Sequence, residues 1–125
     1  MTDFAKLIAI AKRKAEFDKD NTWYAGASTY LSEIKKEVDE VIEEIPNKRI
    51  CYLEEELGDV LWDYFNVVLS LEKEQGVKLD SIINRACRKY DERVTAIENG
   101  ISWDEVKNKQ KQLLEQEQAK LEQLK

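Results

Sequence analysis

The chain has 125 residues, 37% of them charged and 42% hydrophobic, with a formal net charge of −6, one proline and four glycines. That length suits one domain with a core of its own, and so few turn residues favour helices over a sheet. An acidic balance argues against nucleic acid as the main partner, and the absence of histidine excludes histidine acid–base chemistry, the Ser-His-Asp triad, most zinc sites and the Glu-x-x-His di-iron bundle.

The periodicity predicts a first helix over about 3–17, with Phe4, Leu7, Ile8, Ala11 and Ala15 on one face. The segment DKDNTWYAGAST, residues 18–29, breaks it and carries Trp23 and Tyr24; with Phe17 these form an aromatic group suited to stacking on a base or to anchoring the core. A second helix is predicted over about 30–45, with Leu31, Ile34, Val38, Val41, Ile42 and Ile45 as its apolar stripe, ended by Pro46-Asn47. A third covers about 48–74 and stops near Gly76; a fourth covers about 79–98, ended by Asn99-Gly100. Ser102 and Glu105 have capping-box spacing at the start of a fifth, whose tail to residue 125 is low in complexity. No stretch at the N-terminus reads as a signal or membrane span, and two unpatterned cysteines, Cys51 and Cys87, read as small buried fillers in a reducing cytoplasm. The expectation is a single all-α domain, cytoplasmic, without nucleic-acid or membrane partners.

On a helical wheel the third helix is apolar around most of its circumference, and the gap holds Glu56, Asp59, Asp63, Asn66 and Ser70. No lysine or arginine occurs between Ile50 and Glu72 to neutralise them. The second helix carries a like row, Glu33, Glu37, Glu40 and Glu44, rotated from its apolar stripe in the same sense. A connection as short as Pro46 and its neighbours requires an antiparallel hairpin. A two-fold axis relates two antiparallel helices, so side stripes of equal hand fall on the same side of the pair and the rows converge. Glu37, Glu40, Glu56 and Asp59 should meet at similar height. Four carboxylates in one partly dry volume must protonate or acquire a cation, and all-oxygen ligands favour Mg²⁺, with Mn²⁺ as the alternative. A solvated acidic face is the plainer reading of either row alone. Arg85, Arg88, Lys89 and Arg93 form the densest basic cluster on the fourth helix, with Lys89 and Arg93 sharing a face beside Tyr90.

These residues resemble the MazG-like nucleoside triphosphate pyrophosphohydrolases. EVDE (37–40) and ELGD (56–59) are similar to that family's E-E-x-x-E and E-x-x-D motifs, KYDER (89–93) to its K-[FY]-x-x-R, and Asn66 to an asparagine of some members. The resemblance covers about residues 28–98 and departs at Lys36, where the pattern has glutamate; Glu33 is a substitute carboxylate, and Asp63 a further one. It implies that Glu37, Glu40, Glu56 and Asp59 bind Mg²⁺ and carry catalysis, that Lys89 and Arg93 hold phosphates, and that Asn66 touches substrate. It also implies a homo-oligomer, a dimer or dimer of dimers, in which a second copy completes a four-helix bundle around the hairpin. The implied reaction converts a ribo- or deoxyribonucleoside triphosphate to the monophosphate and pyrophosphate, in nucleotide-pool house-cleaning, with Glu37 or Glu40 orienting the water. Phosphoribosyl-ATP pyrophosphohydrolase, of the same superfamily, and a non-catalytic helical interaction module are the alternatives.

Overall fold

A computed structural model describes residues 1–124. All regular structure among them is helical: α1 (Asp3–Asp18), α2 (Ala27–Glu44), a 3₁₀ turn (Ile45–Asn47), α3 (Ile50–Gln75), α4 (Leu79–Glu98) and α5 (Trp103–Gln123). None of these helices is long and apolar enough to cross a membrane. The chain divides into two compact units, Met1–Leu79 and Asp80–Lys125.

In the first unit, Thr2 caps α1 by accepting a hydrogen bond from the Ala5 N–H at 3.2 Å. Ala11, Phe65 and Leu69 form a fully buried centre, with Leu7, Ile8 and Trp62 packed around it and Phe4 edge-on to Phe65 at 5.3 Å. Burying each large apolar side chain there contributes about 1.5–3 kcal/mol. A polar network ties the end of α1 to α2: the Tyr30 hydroxyl donates to Asp18, which is 2% exposed, and Lys14 is ion-paired to the same carboxylate.

Helix α2 begins at Ala27, three residues earlier than periodicity predicts. Its cap comes from 47 residues away, where the Glu74 carboxylate accepts from the Ala27 N–H at 2.8 Å. Thr29 adds to the start by accepting from the Ala25 N–H at 2.8 Å. Gly26 has φ +86°, and a Cβ there would lie 3.1 Å from a Glu74 oxygen, so this position needs glycine on two counts. Glu74 belongs to the last turn of α3, which makes α2 and α3 antiparallel. At the other end Pro46 opens the 3₁₀ turn and Lys48 adopts a left-handed conformation, φ 54°. There Glu44 accepts two hydrogen bonds from Arg49, at 3.1 and 2.6 Å, and the guanidinium stacks on Tyr52 at 4.0 Å. The hairpin is thus tied at both ends.

One chain covers less of α2 and α3 than their patterns suggest. Tyr30, Ile34, Glu37 and Val41 of α2 are buried or half-buried, whereas Leu31, Val38, Ile42 and Ile45 are exposed. On α3 the buried run is Phe65 to Ser70, while Ile50, Leu57, Leu61 and Tyr64 are exposed. These exposed sets share one spacing, i, i+7, i+11, i+14, and each lies roughly a quarter-turn from the α2–α3 seam, on the side away from the acids. Cys51 and Cys87 are exposed rather than buried, because they fall on helix faces that the chain leaves uncovered.

In the second unit, α4 and α5 form a hairpin around Gly100, φ 81°, and Ser102 caps α5 by accepting from the Glu105 N–H at 3.1 Å. Arg85 donates two hydrogen bonds to Glu117, at 3.0 and 2.7 Å.

The long-range cap yields a prediction. Glu74→Ala leaves the first N–H groups of α2 without an acceptor, at a cost of about 1 kcal/mol, and should lower the melting temperature by roughly 3–6 °C. An unchanged thermal transition would mean that water replaces the carboxylate at no cost.

Candidate metal centre

The seam between α2 and α3 is lined from both sides by residues one helical turn apart, which puts Glu37 of α2 against Glu56 and Asp59 of α3. Each of these three offers a carboxylate oxygen, and the three oxygens lie within 4.8 Å of one another. Glu37 and Glu56 are half-buried and Asp59 is exposed, so the group opens from the seam to solvent. Glu40 is also exposed, and its carboxyl is near enough to Glu37 and Glu56 to raise the pKa of both.

On α2 the two ends of the acidic row are ion-paired and its middle is not. Glu33 is ion-paired with Lys36 at 3.3 Å, so the lysine at the departing motif position turns outward onto the glutamate one turn before the cluster. Glu44 is held by Arg49. Between them, one oxygen each of Glu37, Glu56 and Asp63 is buried with no hydrogen-bond partner among the described residues. Asp63 is 6% exposed, one turn beyond Asp59 at the closed end of the seam.

The electrostatics follow from this crowding. Glu37 is raised to about 7, first by burial, then by the hydrogen-bonded carboxyl of Glu40 and the charges of Glu40, Asp59 and Asp63. Glu56 is raised by the hydrogen-bonded carboxyl of Glu40, then by burial and the charges of Glu40, Asp59 and Glu55. Asp63 is raised to about 6 by burial, then by Glu33 and Asp59. Orphaned buried oxygens, an all-carboxylate donor set and carboxyls driven toward the neutral form suit a group that takes a cation. Glu37, Glu56 and Asp59 fit a hard divalent ion, with Glu40 at its edge.

The other expected site residues are distributed as follows. Asn66 is 1% exposed, and its amide donates to the Trp62 carbonyl of its own helix at 2.9 Å. With Asp18, Tyr24, Tyr30 and Ser70 it lines a cavity of about 10 Å³, room for one water. Tyr24 is half-buried and donates to Ser70 at 2.8 Å, an anchoring role. Trp23 stays exposed, edge-on to Tyr30 at 5.4 Å with the Lys14 ammonium 5.3 Å from its ring. Phe17 is exposed and, with Asp20, Asn21 and Thr22, borders a surface depression of about 400 Å³. Lys89 and Arg93 lie in the second unit, where Lys89 is exposed and Arg93 is buried against the neighbouring rings of Tyr90 and Trp103. The cations that close off the acidic rows, Lys36 and Arg49, carried no signal in the sequence beyond adjacency.

The raised carboxyls fix the sign of a pH dependence. Glu37 and Asp63 hold protons in the fold at pH values where the unfolded chain has released them. The stability they lend is full below about pH 4 and lost as pH rises through 6 to 7. In a chelator the melting temperature should therefore fall between about pH 5 and pH 8, and saturating Mg²⁺ or Mn²⁺ should abolish the fall. A flat profile in chelator would remove the case for an unneutralised cluster. Asp63→Asn, measured in chelator, should raise the melting temperature by roughly 3 °C near pH 8 and not near pH 4. Destabilisation at both pH values would mean that the carboxylate has a partner.

Comparison with curated proteins and with solved structures finds no match. The family model of the MazG nucleotide pyrophosphohydrolase domain matches residues 25–97, more than half of the chain, and that stretch contains the hairpin, the acidic group and the Lys89–Arg93 pair. Members of the family are nucleotide pyrophosphohydrolases and typically depend on a divalent metal. By this match the chain belongs to the MazG nucleotide pyrophosphohydrolase family.

Proposed function

We propose that the protein is a Mg²⁺-dependent pyrophosphohydrolase of nucleoside triphosphates, releasing the monophosphate and pyrophosphate and serving to clear unwanted nucleotides from the pool. The observation that carries this reading is the set of three converging carboxylate oxygens of Glu37, Glu56 and Asp59, flanked by buried oxygens without partners. A triphosphate brings charge of the same sign as this group, so the two are compatible only through a cation. When bound, the ion would offset that charge and acidify the attacking water.

The chain's own residues have separable tasks. Glu37, Glu56 and Asp59 are the ion-holding set. Glu40, solvent-facing and near both glutamates, would accept the proton of a water attacking the α-phosphorus. The new bond is between water oxygen and α-phosphorus; the bond broken joins that phosphorus to the bridging oxygen that departs with pyrophosphate. Lys89 and Arg93, by their match to the family motif, are assigned to phosphate oxygens, in the same copy or a partner copy. Trp23 and Phe17 are the exposed aromatics suited to a base, whereas Asn66 and Tyr24 are engaged internally with Trp62 and Ser70.

A homo-oligomer belongs to the same proposal. The acidic rows and the exposed apolar stripes are rotated in opposite senses from the seam, and equally on both helices. The hairpin therefore has an acidic flank and, opposite it, an apolar flank of Leu31, Val38, Ile42, Leu57, Leu61 and Tyr64. The occupant that fits is the same flank of a second copy, completing a four-helix bundle with heptad-like spacing.

The test is pyrophosphate release across the common and deoxy nucleoside triphosphates, with phosphoribosyl-ATP included, in Mg²⁺. Release with monophosphate as co-product is expected. Glu56→Gln should reduce it by at least about 10²–10³-fold, the scale of one lost electrostatic contact in a transition state. Absence of turnover with every substrate and divalent ion would return the acidic group to a scaffolding role.

A further inference from the structure

We propose that Gln110, outside the stretch matched by the family, is a positioning residue that presets the guanidinium of Arg93 for a phosphate; this rests on the reading of Arg93 as a phosphate contact. Helix α5 is exposed along nearly its whole length, and among its described residues only Val106 and Gln110 are partly covered. Gln110 is covered because its amide is fully engaged. Its Oε1 accepts from Arg93 Nε at 2.8 Å, and its Nε2 donates to the Lys89 carbonyl at 3.0 Å and to Glu92 Oε1 at 3.3 Å. The amide has one orientation, since turning it over would set an NH₂ against the guanidinium and an oxygen against a carbonyl and a carboxylate.

That single side chain spans the turn between Lys89 and Arg93, the two halves of the basic pair. Arg93 is then fixed at Nε by Gln110 and rests against two neighbouring rings, Trp103 at 5.1 Å and Tyr90 at 5.6 Å, whose centres are 6.3 Å apart. Neither terminal nitrogen has a hydrogen-bond partner among the described residues. An arginine held at Nε and against a wall of two rings, with its fork unspent, is preorganised for two parallel hydrogen bonds to a phosphate. Held only as a strut of the α4–α5 hairpin, it would spend those nitrogens on protein acceptors, as Arg85 does on Glu117.

Calorimetric titration of inorganic tripolyphosphate into the full-length protein with Mg²⁺ separates these roles. Four variants are compared: Gln110→Met, which keeps length and packing; Gln110→Glu, which keeps the acceptor at Nε; Arg93→Ala; and Glu117→Ala, which cuts the other tie between α4 and α5. Gln110→Met should weaken binding roughly tenfold, the order of cost for immobilising one long side chain on binding. Arg93→Ala should weaken it more, and Glu117→Ala should leave it unchanged. In turnover assays the loss in Gln110→Met should appear in KM, with kcat within about twofold. Equal losses in Gln110→Met and Glu117→Ala would assign the effect to hairpin stability and overturn the proposal. An effect of Arg93→Ala without one of Gln110→Met would overturn it alone. Tripolyphosphate binding that is absent, or indifferent to Arg93→Ala, would remove the phosphate reading of Arg93 and this inference with it.

Discussion

Taking a carboxylate out of water costs several kcal/mol unless a proton, a donor or a cation meets it. At the α2–α3 seam, buried oxygens of Glu37, Glu56 and Asp63 meet no donor among the described residues, and Glu40 and Asp59 add charge of the same sign. An apolar filling of that seam would be more stable by itself. The hairpin therefore carries an internal repulsion, and the rest of the first unit is arranged to tolerate it. The buried Ala11–Phe65–Leu69 centre supplies apolar stabilisation away from the acids. Lys36 and Arg49 confine the uncompensated stretch to the residues between Glu33 and Glu44.

Much of this was legible because it depends on helical phase, which a sequence states directly. The convergence of Glu37 with Glu56 and Asp59 follows from equal hand on two antiparallel helices. The start of α5 follows from the spacing of Ser102 and Glu105, and the end of α4 from Asn99-Gly100. What escaped depends on contacts between distant residues. Periodicity cannot show that Glu74 caps Ala27, so α2 begins earlier than its apolar pattern. The exposure of Cys51 and Cys87 reflects which faces one chain leaves open, and residue type alone suggests the reverse. Nor does anything mark Gln110 among the other glutamines of its helix; its distinction is the three partners it meets on α4.

The same phase relation gives α2 and α3 two unlike flanks. Rotation one way from the seam brings the carboxylates together, and rotation the other way brings together leucine, isoleucine, valine and tyrosine side chains left uncovered. Carboxylates and uncovered apolar side chains thus share one pair of helices without competing for positions. Each helix needs only three zones around its circumference, and the seven-residue spacing keeps all three in register along its length.

The two ties that close the hairpin, Glu74 to Ala27 at one end and Glu44 to Arg49 at the other, make it a beam clamped at both supports. A hairpin held only at its turn would relieve the repulsion of its acids by splaying open at the free end. Clamped at both, it keeps its carboxylates near one another whether or not charge is balanced. The width of the gap is then a property of the frame rather than of its occupant. An ion that entered such a gap would meet donors already gathered, and little reorganisation of the two helices would accompany its arrival.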